Sequence, residues 1–568
     1  MNKPKFRAAL AGSLILSAIL IAACGGSDSD TTQSGSSASS SSASSVEPTP
    51  TGLTLSKIGG FQHDGGASSA EITAYDPLSK RLFVVNGALG TVDVLNLADP
   101  TAPTLISSIS TASFGSGLGG VNSVAVHDGV VALTIEANPK TSNGIAALLR
   151  ASDLVTLGTA SVGALPDMLT FTPDGKTLLV ANEGEPSSYD QSDSIDPEGS
   201  ISVIALGPLG PTVTSVSMTA TQAGFTAYNS QIDSLRAAGV RIFGPNASVA
   251  QDLEPEYITV AADSSKAWIT LQENNAVAEL DIASKTITAI RPFGLKDHSL
   301  AGNGMDVSDE DGGENTNNGT PAIKIRTVPV KGMYMPDAIA SYTVGGETYL
   351  VTANEGDARE YDGFAEKVRV RAHCDSLDAT AFADAANAIR DSNLGRLKIT
   401  ANYNGGSIDT GKDTSGTCTA LYSFGARSFS IWKTDARQVY DSGDEFEQRT
   451  QALSNVNFNA SNDNDKLDAR STAKGPEPEG VVLGHFGGKT YAFIGLERVG
   501  GVMVYDITTP AAPAFVTYVN PRAGETGDRG PEGLAVVPAA DSPNGKPLLI
   551  VGNETSGSTA IYQIDLSY

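Results

Sequence analysis

One phrase occurs twice in this chain: Ala-Asn-Glu-Gly closes an apolar run at residues 181–184 and again at 353–356. Each copy leaves a carboxylate at a strand end, Glu183 or Glu355, with a second acid two residues on, Glu185 or Asp357. A further set of acids opens apolar runs, because Asp167, Glu256, Asp337, Glu479 and Glu532 each follow a proline. The hairpin partners of those runs end at Glu183, Glu273, Glu355, Glu497 and Glu554. Carboxylates gathered at one place repel, so they must hold protons, accept many hydrogen bonds or bind a cation. Oxygen donors suit hard ions, which points to Ca²⁺ or Mg²⁺. For the proline-linked acids a second reading stands beside this one, in which each accepts backbone N–H bonds from the next repeat and acts as a latch.

Other chemistries are poorly served. The five histidines, His63, His127, His298, His373 and His485, show no paired spacing, which disfavours the common zinc sites. "DVSDEDGGEN" from Asp306 is acidic and glycine-rich, but its acids miss the positions of a calcium-binding helix–loop–helix, so it reads first as a solvated loop. "DGKT" at Asp174 and "GGKT" at Gly487 lack the upstream glycine of a phosphate-binding loop and sit inside hairpins. No Gly-x-Ser-x-Gly nucleophile elbow is present. Arg359, Arg498 and Arg529 lie near the same strand ends and could hold an anionic group, or simply pair with neighbouring acids.

The elements that must position these residues repeat. Seven apolar runs, opening at Glu71, Asn122, Asp167, Glu256, Asp337, Glu479 and Glu532, are each followed by a turn and a second β-rich run, and most by a third. Seven short hairpin units with glycine, proline and asparagine turns and almost no helical period predict an all-β fold, a seven-bladed β-propeller. In such a blade the start of the first strand and the end of the second share one face, so ten carboxylates from five blades would meet at one mouth of the channel. The last unit lacks a fourth strand and residues 53–61 form a spare one, so the N-terminal strand is expected to complete the last blade and leave no open edge. Spacing is uneven: 45 residues separate Asn122 from Asp167, but 89 separate Asp167 from Glu256 and 142 separate Asp337 from Glu479. Blades three to five must therefore carry insertions, of the length usually found in lids and binding loops. One has a helical pattern near Ser230–Ala238, and Cys374 and Cys418 are expected to staple another as a disulfide.

Residues 1–23 read as an export leader, with Lys3, Lys5 and Arg7 ahead of an apolar stretch too short to span a membrane. It ends in Ile-Ala-Ala-Cys, which resembles a bacterial lipobox and marks Cys24 for lipidation, with Gly25 favouring the outer membrane. Residues 24–51 are Ser- and Gly-rich and read as a flexible tether, leaving 52–568 for the propeller. A net charge of −26 argues against nucleic acid as a partner.

The phrases "NEGEP" with "DPEGSISVI", "NEGDAREYDGFAEKVRV" and "YSFGARSFSIW" resemble the choice-of-anchor I family of exported propellers, over most of residues 53–566. That resemblance implies an anchored or secreted bacterial protein similar to cell-surface glycoprotein-like proteins. It also reaches proteins described as atypical alkaline phosphatases, which would make Glu183, Glu185, Asp337, Glu355 and Asp357 metal ligands and Arg359 a phosphate contact. Without an identifiable nucleophile, such a phosphatase would need metal-activated water. Two functions are thus expected: a calcium-binding surface module that binds or scaffolds a protein partner, or a metal-dependent phosphomonoesterase acting on small phosphate esters.

Overall fold

The computed structural model describes residues 48–313, 315–403 and 411–568. The leader, Cys24 and nearly all of the tether lie outside those residues. Seven four-stranded antiparallel sheets follow one another along the chain, six of them with their strands in sequence order from the first, innermost strand outward. Blade three shows the pattern: Pro166–Phe171, Thr177–Asn182, Ser200–Leu206 and Met218–Gly224. Middle strands are buried on both faces, so they read as continuous apolar runs such as Arg81–Asn86, "RLFVVN", rather than alternating ones.

The seven-fold repeat closes into a ring of cores. Phe83 and Val85 of blade one pack with Val131 and Leu133 of blade two. Leu148 of blade two packs with Leu178 and Val180 of blade three. The succession continues through Leu179 with Ile269, Trp268 with Trp432, Phe429 with Ile494, and Phe493 with Leu549. Leu82 and Val84 then meet Ile550 and Ile561, which returns the ring to blade one.

Blade seven is built from both chain ends, as the sequence predicts. Gly52–Gln62 pairs antiparallel with Ser558–Ser567, from Gly52 opposite Ser567 to Gln62 opposite Ser558. Leu53 and Leu55 of that strand are buried in the core shared with blade six.

The insertions also fall where spacing places them. The helix Ile232–Ala238 lies between blades three and four. Residues 354–428 separate the second and third strands of blade five and join Leu295–Asp297 and Lys331–Met333, from the connection between blades four and five, in a five-stranded sheet. That insertion has its own apolar core, with Val370, Leu377, Phe382, Leu397 and Ile399 around Cys374 and Cys418, which are disulfide-bonded with Cα atoms 5.6 Å apart.

Deleting residues 52–62 should expose the edge of Ser558–Ser567 and half an interblade core. The expected outcome is a lower melting temperature with self-association by light scattering; an unchanged monomer would contradict closure by this strand. Replacing Cys374 and Cys418 together by serine removes a cross-link spanning 44 residues. It should cost about 2–4 kcal/mol in denaturant unfolding of the insertion.

Candidate functional site

The proline-linked acids point into the channel because of a backbone irregularity that repeats. In blade three Pro166 pairs with Asn182 and pairing resumes only at Leu169 with Val180; the same break follows Pro255, Pro478 and Pro531. Asp167, Glu256, Glu479 and Glu532 each sit in that bulge, where an extra residue kinks the strand and re-aims the side chain. Glu71, Asp167, Asp337 and Glu532 line a cavity of about 230 Å³ in the channel, together with Asn122 and Tyr257. The latch reading gains nothing from the carboxylates themselves, since the hydrogen bonds here go to main chain: Thr134 donates to the Asp167 carbonyl at 3.1 Å and Thr270 to the Asp337 carbonyl at 2.8 Å.

Glycine explains why the repeated phrase ends as it does. Gly356 adopts φ +86°, and a Cβ there would stand 2.1 Å from the Gly425 nitrogen. The chain can turn away after Glu355 only because no side chain fills that space.

Two triads bring carboxylate oxygens within 4.8 Å of one another: Asp337, Glu355 and Glu479, and Glu355, Glu477 and Glu497. They differ in what already neutralises them. Glu477 accepts from Arg470 at 2.6 Å and from Arg498 at 3.1 Å, with the Lys474 ammonium 3.1 Å away, and these charges hold its pKa at about 2 despite burial. Glu355 takes Lys474 on one oxygen and Gln272 at 3.0 Å on the other. Glu497 accepts from Asn462 at 2.9 Å, but its second oxygen has no partner, as is true of one oxygen each on Glu256, Glu273, Glu479 and Glu532. Burial followed by repulsion from its neighbours drives Asp337, Glu479, Glu532 and Glu256 well above the usual carboxylate range. Burial likewise pushes Glu497 up to about 8, and Asp167 and Glu273 up to about 7.

The remaining sequence candidates lie beside this ring. Burial, then the charges of Asp167 and Glu185, raises Glu183. Glu185 pairs with Lys140 and accepts from the Tyr361 hydroxyl at 2.9 Å, and Glu554 accepts from Ser68 at 2.9 Å. Asp357 is exposed, 3.9 Å from Lys474. Arg498 is 2.9 Å from Glu497. Arg359 is fully buried over the Phe243 ring, paired with Asp252 and 3.1 Å from Glu254. Its guanidinium is thus occupied by carboxylates of the blade-three insertion, and it fastens that insertion to the second Asn-Glu-Gly turn. Sequence reasoning passed over Glu71, Glu254, Glu477 and Lys474. Two of these carry a visible signal, for Glu254-Pro255-Glu256 and Glu477-Pro478-Glu479 are the same tripeptide. Glu477 also adopts φ +55°, a strained conformation of the kind that clusters at functional sites.

These shifts fix a pH dependence. Glu71 and Glu497 at about 8, with Asp167 and Glu273 at about 7, keep protons in the folded state that the unfolded chain has released. Their contribution is complete below about pH 4 and is lost as pH rises through 7 to 8. Glu477, at about 2, acts oppositely, its contribution present above about pH 4.5 and lost toward pH 2. In chelator the melting temperature should therefore fall between pH 5 and pH 9; a flat or rising profile would refute uncompensated carboxylates at the mouth.

The chain is 28% identical over 198 residues to gigasin-3a of Magallana gigas, a match covering 31% of this chain and 66% of that protein, so it spans just under two thirds of that relative's length. Solved structures with similar backbones include the hydrazine synthase of Kuenenia stuttgartiensis, at 12% identity and a TM-score of 0.43, covering 89% of this chain and 98% of that one. Another is the β-propeller domain of Cps50 (Swd1) from Myceliophteria thermophila, at 7% identity and a TM-score of 0.39, covering 90% of this chain and 100% of that one. The choice-of-anchor I domain model matches residues 71–510, which take in six of the seven inner strands and every insertion, and the chain belongs to that family.

Proposed function

We propose that this protein is a surface-associated binding propeller whose channel mouth holds a divalent cation, Ca²⁺ before Mg²⁺. The observation that carries the reading is the triad Asp337, Glu355 and Glu479, whose oxygens lie within 4.8 Å of one another. One Glu479 oxygen is buried without a partner. All donors are oxygens, and the spread suits an ion that takes ligands at about 2.3–2.6 Å in irregular geometry. Glu355 belongs to both triads and carries Lys474 in each, but in the triad of Glu355, Glu477 and Glu497 the other two acids are also paired, with Arg470 and Arg498, so it fits a metal less well.

Display outside the cytoplasm accords with the family, with the disulfide and with the leader and Cys24 read from sequence; attachment to the outer membrane through a Cys24 lipid is part of the same proposal. Among the described residues no helix is long and apolar enough to cross a membrane. A binding role is favoured over phosphomonoester hydrolysis because Arg359, the anion contact implied by resemblance, is engaged by Asp252 and Glu254.

Calorimetric titration of the full chain should show calcium binding that raises the melting temperature, with magnesium weaker. Asp337→Asn with Glu479→Gln should weaken calcium at least about tenfold, the loss of two charged ligands. A wild-type protein whose melting temperature ignores both calcium and chelator would overturn the cation site. Calcium-dependent turnover of a phosphate monoester would replace the binding reading with the enzymatic one.

A further inference from the structure

Beside the acid-lined mouth, under the insertion of blade five, lies a second cavity of about 200 Å³ with the opposite character. Lys367, Lys398, Arg470, Lys474 and Arg498 line it, with Asp357 as the one acid on its wall. The cations come from three parts of the chain. Lys367 and Lys398 stand on the paired strands Lys367–Arg369 and Lys398–Thr400 of the insertion, Arg470 and Lys474 on the segment entering blade six, and Arg498 just past the second strand of that blade. The Lys398 backbone N–H donates to the Thr472 carbonyl at 2.8 Å, which pins the insertion over that segment and encloses the cavity.

Three of the cations converge on Glu477: Arg470, Lys474 and Arg498 all reach it, while Lys474 also pairs with Glu355 and Arg498 with Glu497 and Asn462. Lys367 pairs with the exposed Glu360. Lys398 is different: among the described residues its half-buried ammonium has no hydrogen-bond or ion-pair partner. Burial, then the charges of Lys367, Arg470 and Arg369, pushes its pKa down. A partly desolvated cation held among cations is costly unless an anion completes the site.

We propose that this cavity binds an oxyanion, the phosphate or carboxylate group of a small organic molecule. The enclosed shape and the chain's net charge of −26 disfavour a polyanionic polymer. Phe424, Ala358 and Ala473 complete the wall and supply apolar surface for the rest of such a ligand. Guanidinium and ammonium donors converging from separate elements give the charge-assisted bonds that oxyanions take. The proposal deepens the binding reading by naming a ligand class, and rests on it; Lys474 pairs with Glu355 of the calcium triad, but Lys398 has no ion-pair partner and Lys367 pairs with Glu360, outside that triad.

The test is titration calorimetry of the full chain in chelator with inorganic phosphate, phenyl phosphate and benzoate, the last two sharing a ring and differing in the anionic group. Saturable binding of at least one is expected, with phenyl phosphate against benzoate identifying the preferred group. Lys398→Gln should weaken it at least about tenfold, the loss of one charge-assisted contact, without lowering the melting temperature of the ligand-free protein. Lys367→Gln, whose present partner is exposed, gives a second reading should Lys398→Gln fold poorly. Failure of all three probes to bind at millimolar concentration, or undiminished binding in both variants, would overturn the pocket. Because chelator is present, that result is separate from success or failure of calcium binding.

Discussion

Everything in this molecule depends on the pairing of Gly52–Gln62 with Ser558–Ser567. Each blade buries its apolar faces only against its two neighbours, so an open ring would leave two faces and a strand edge in water. Pairing the first strand of the described chain with the last joins residues more than 500 positions apart. It ties the ends of a repeat array into a cycle in which no core lacks a partner. The loop entropy of that long closure grows only slowly with length, whereas the apolar surface it buries is large.

Given the closed ring, the inner strands must begin at one mouth, and in four blades the bulge after the proline turns the acid inward. The fold thus pays a local electrostatic cost to concentrate carboxylates. It offsets that cost unevenly. Lys474, Arg470 and Arg498 neutralise the sector at Glu477, and Arg359 neutralises the sector at Asp252 and Glu254. Between them Asp337, Glu479 and Glu532 accept no hydrogen bond on at least one oxygen or stand far above their usual pKa. Charge separation of this kind, acids in the channel and cations in the cavity beneath the insertion, gives two cavities lined by opposite charge.

The insertions supply most of that division. Arg241 and Arg359 both lie over Phe243, the first paired with Glu366 and the second with Asp252. These contacts bind the blade-three insertion to the blade-five insertion, so both are fixed against the mouth rather than free loops. The disulfide at Cys374 and Cys418 limits the blade-five insertion further. The described parts of these two insertions are therefore held beside the mouth by ion pairs.

The sequence by itself determined the seven repeats, the strand that closes them, the insertions and the acids at the channel mouth. Each follows from a local rule: apolar runs of strand length, a spare strand, irregular spacing, and the shared face of hairpin starts and ends. What only the tertiary structure decided is the pairing among charges. Arg359 reads in sequence as an arginine that could hold an anion or pair with neighbouring acids, and the fold decides this by bringing Asp252 and Glu254 to it from more than 100 residues away. Lys474 looks like an ordinary loop residue until blade five is set beside blade six and brings Glu355 to it. Coulomb interactions depend on distance in space and on burial, and neither is a function of separation along the chain.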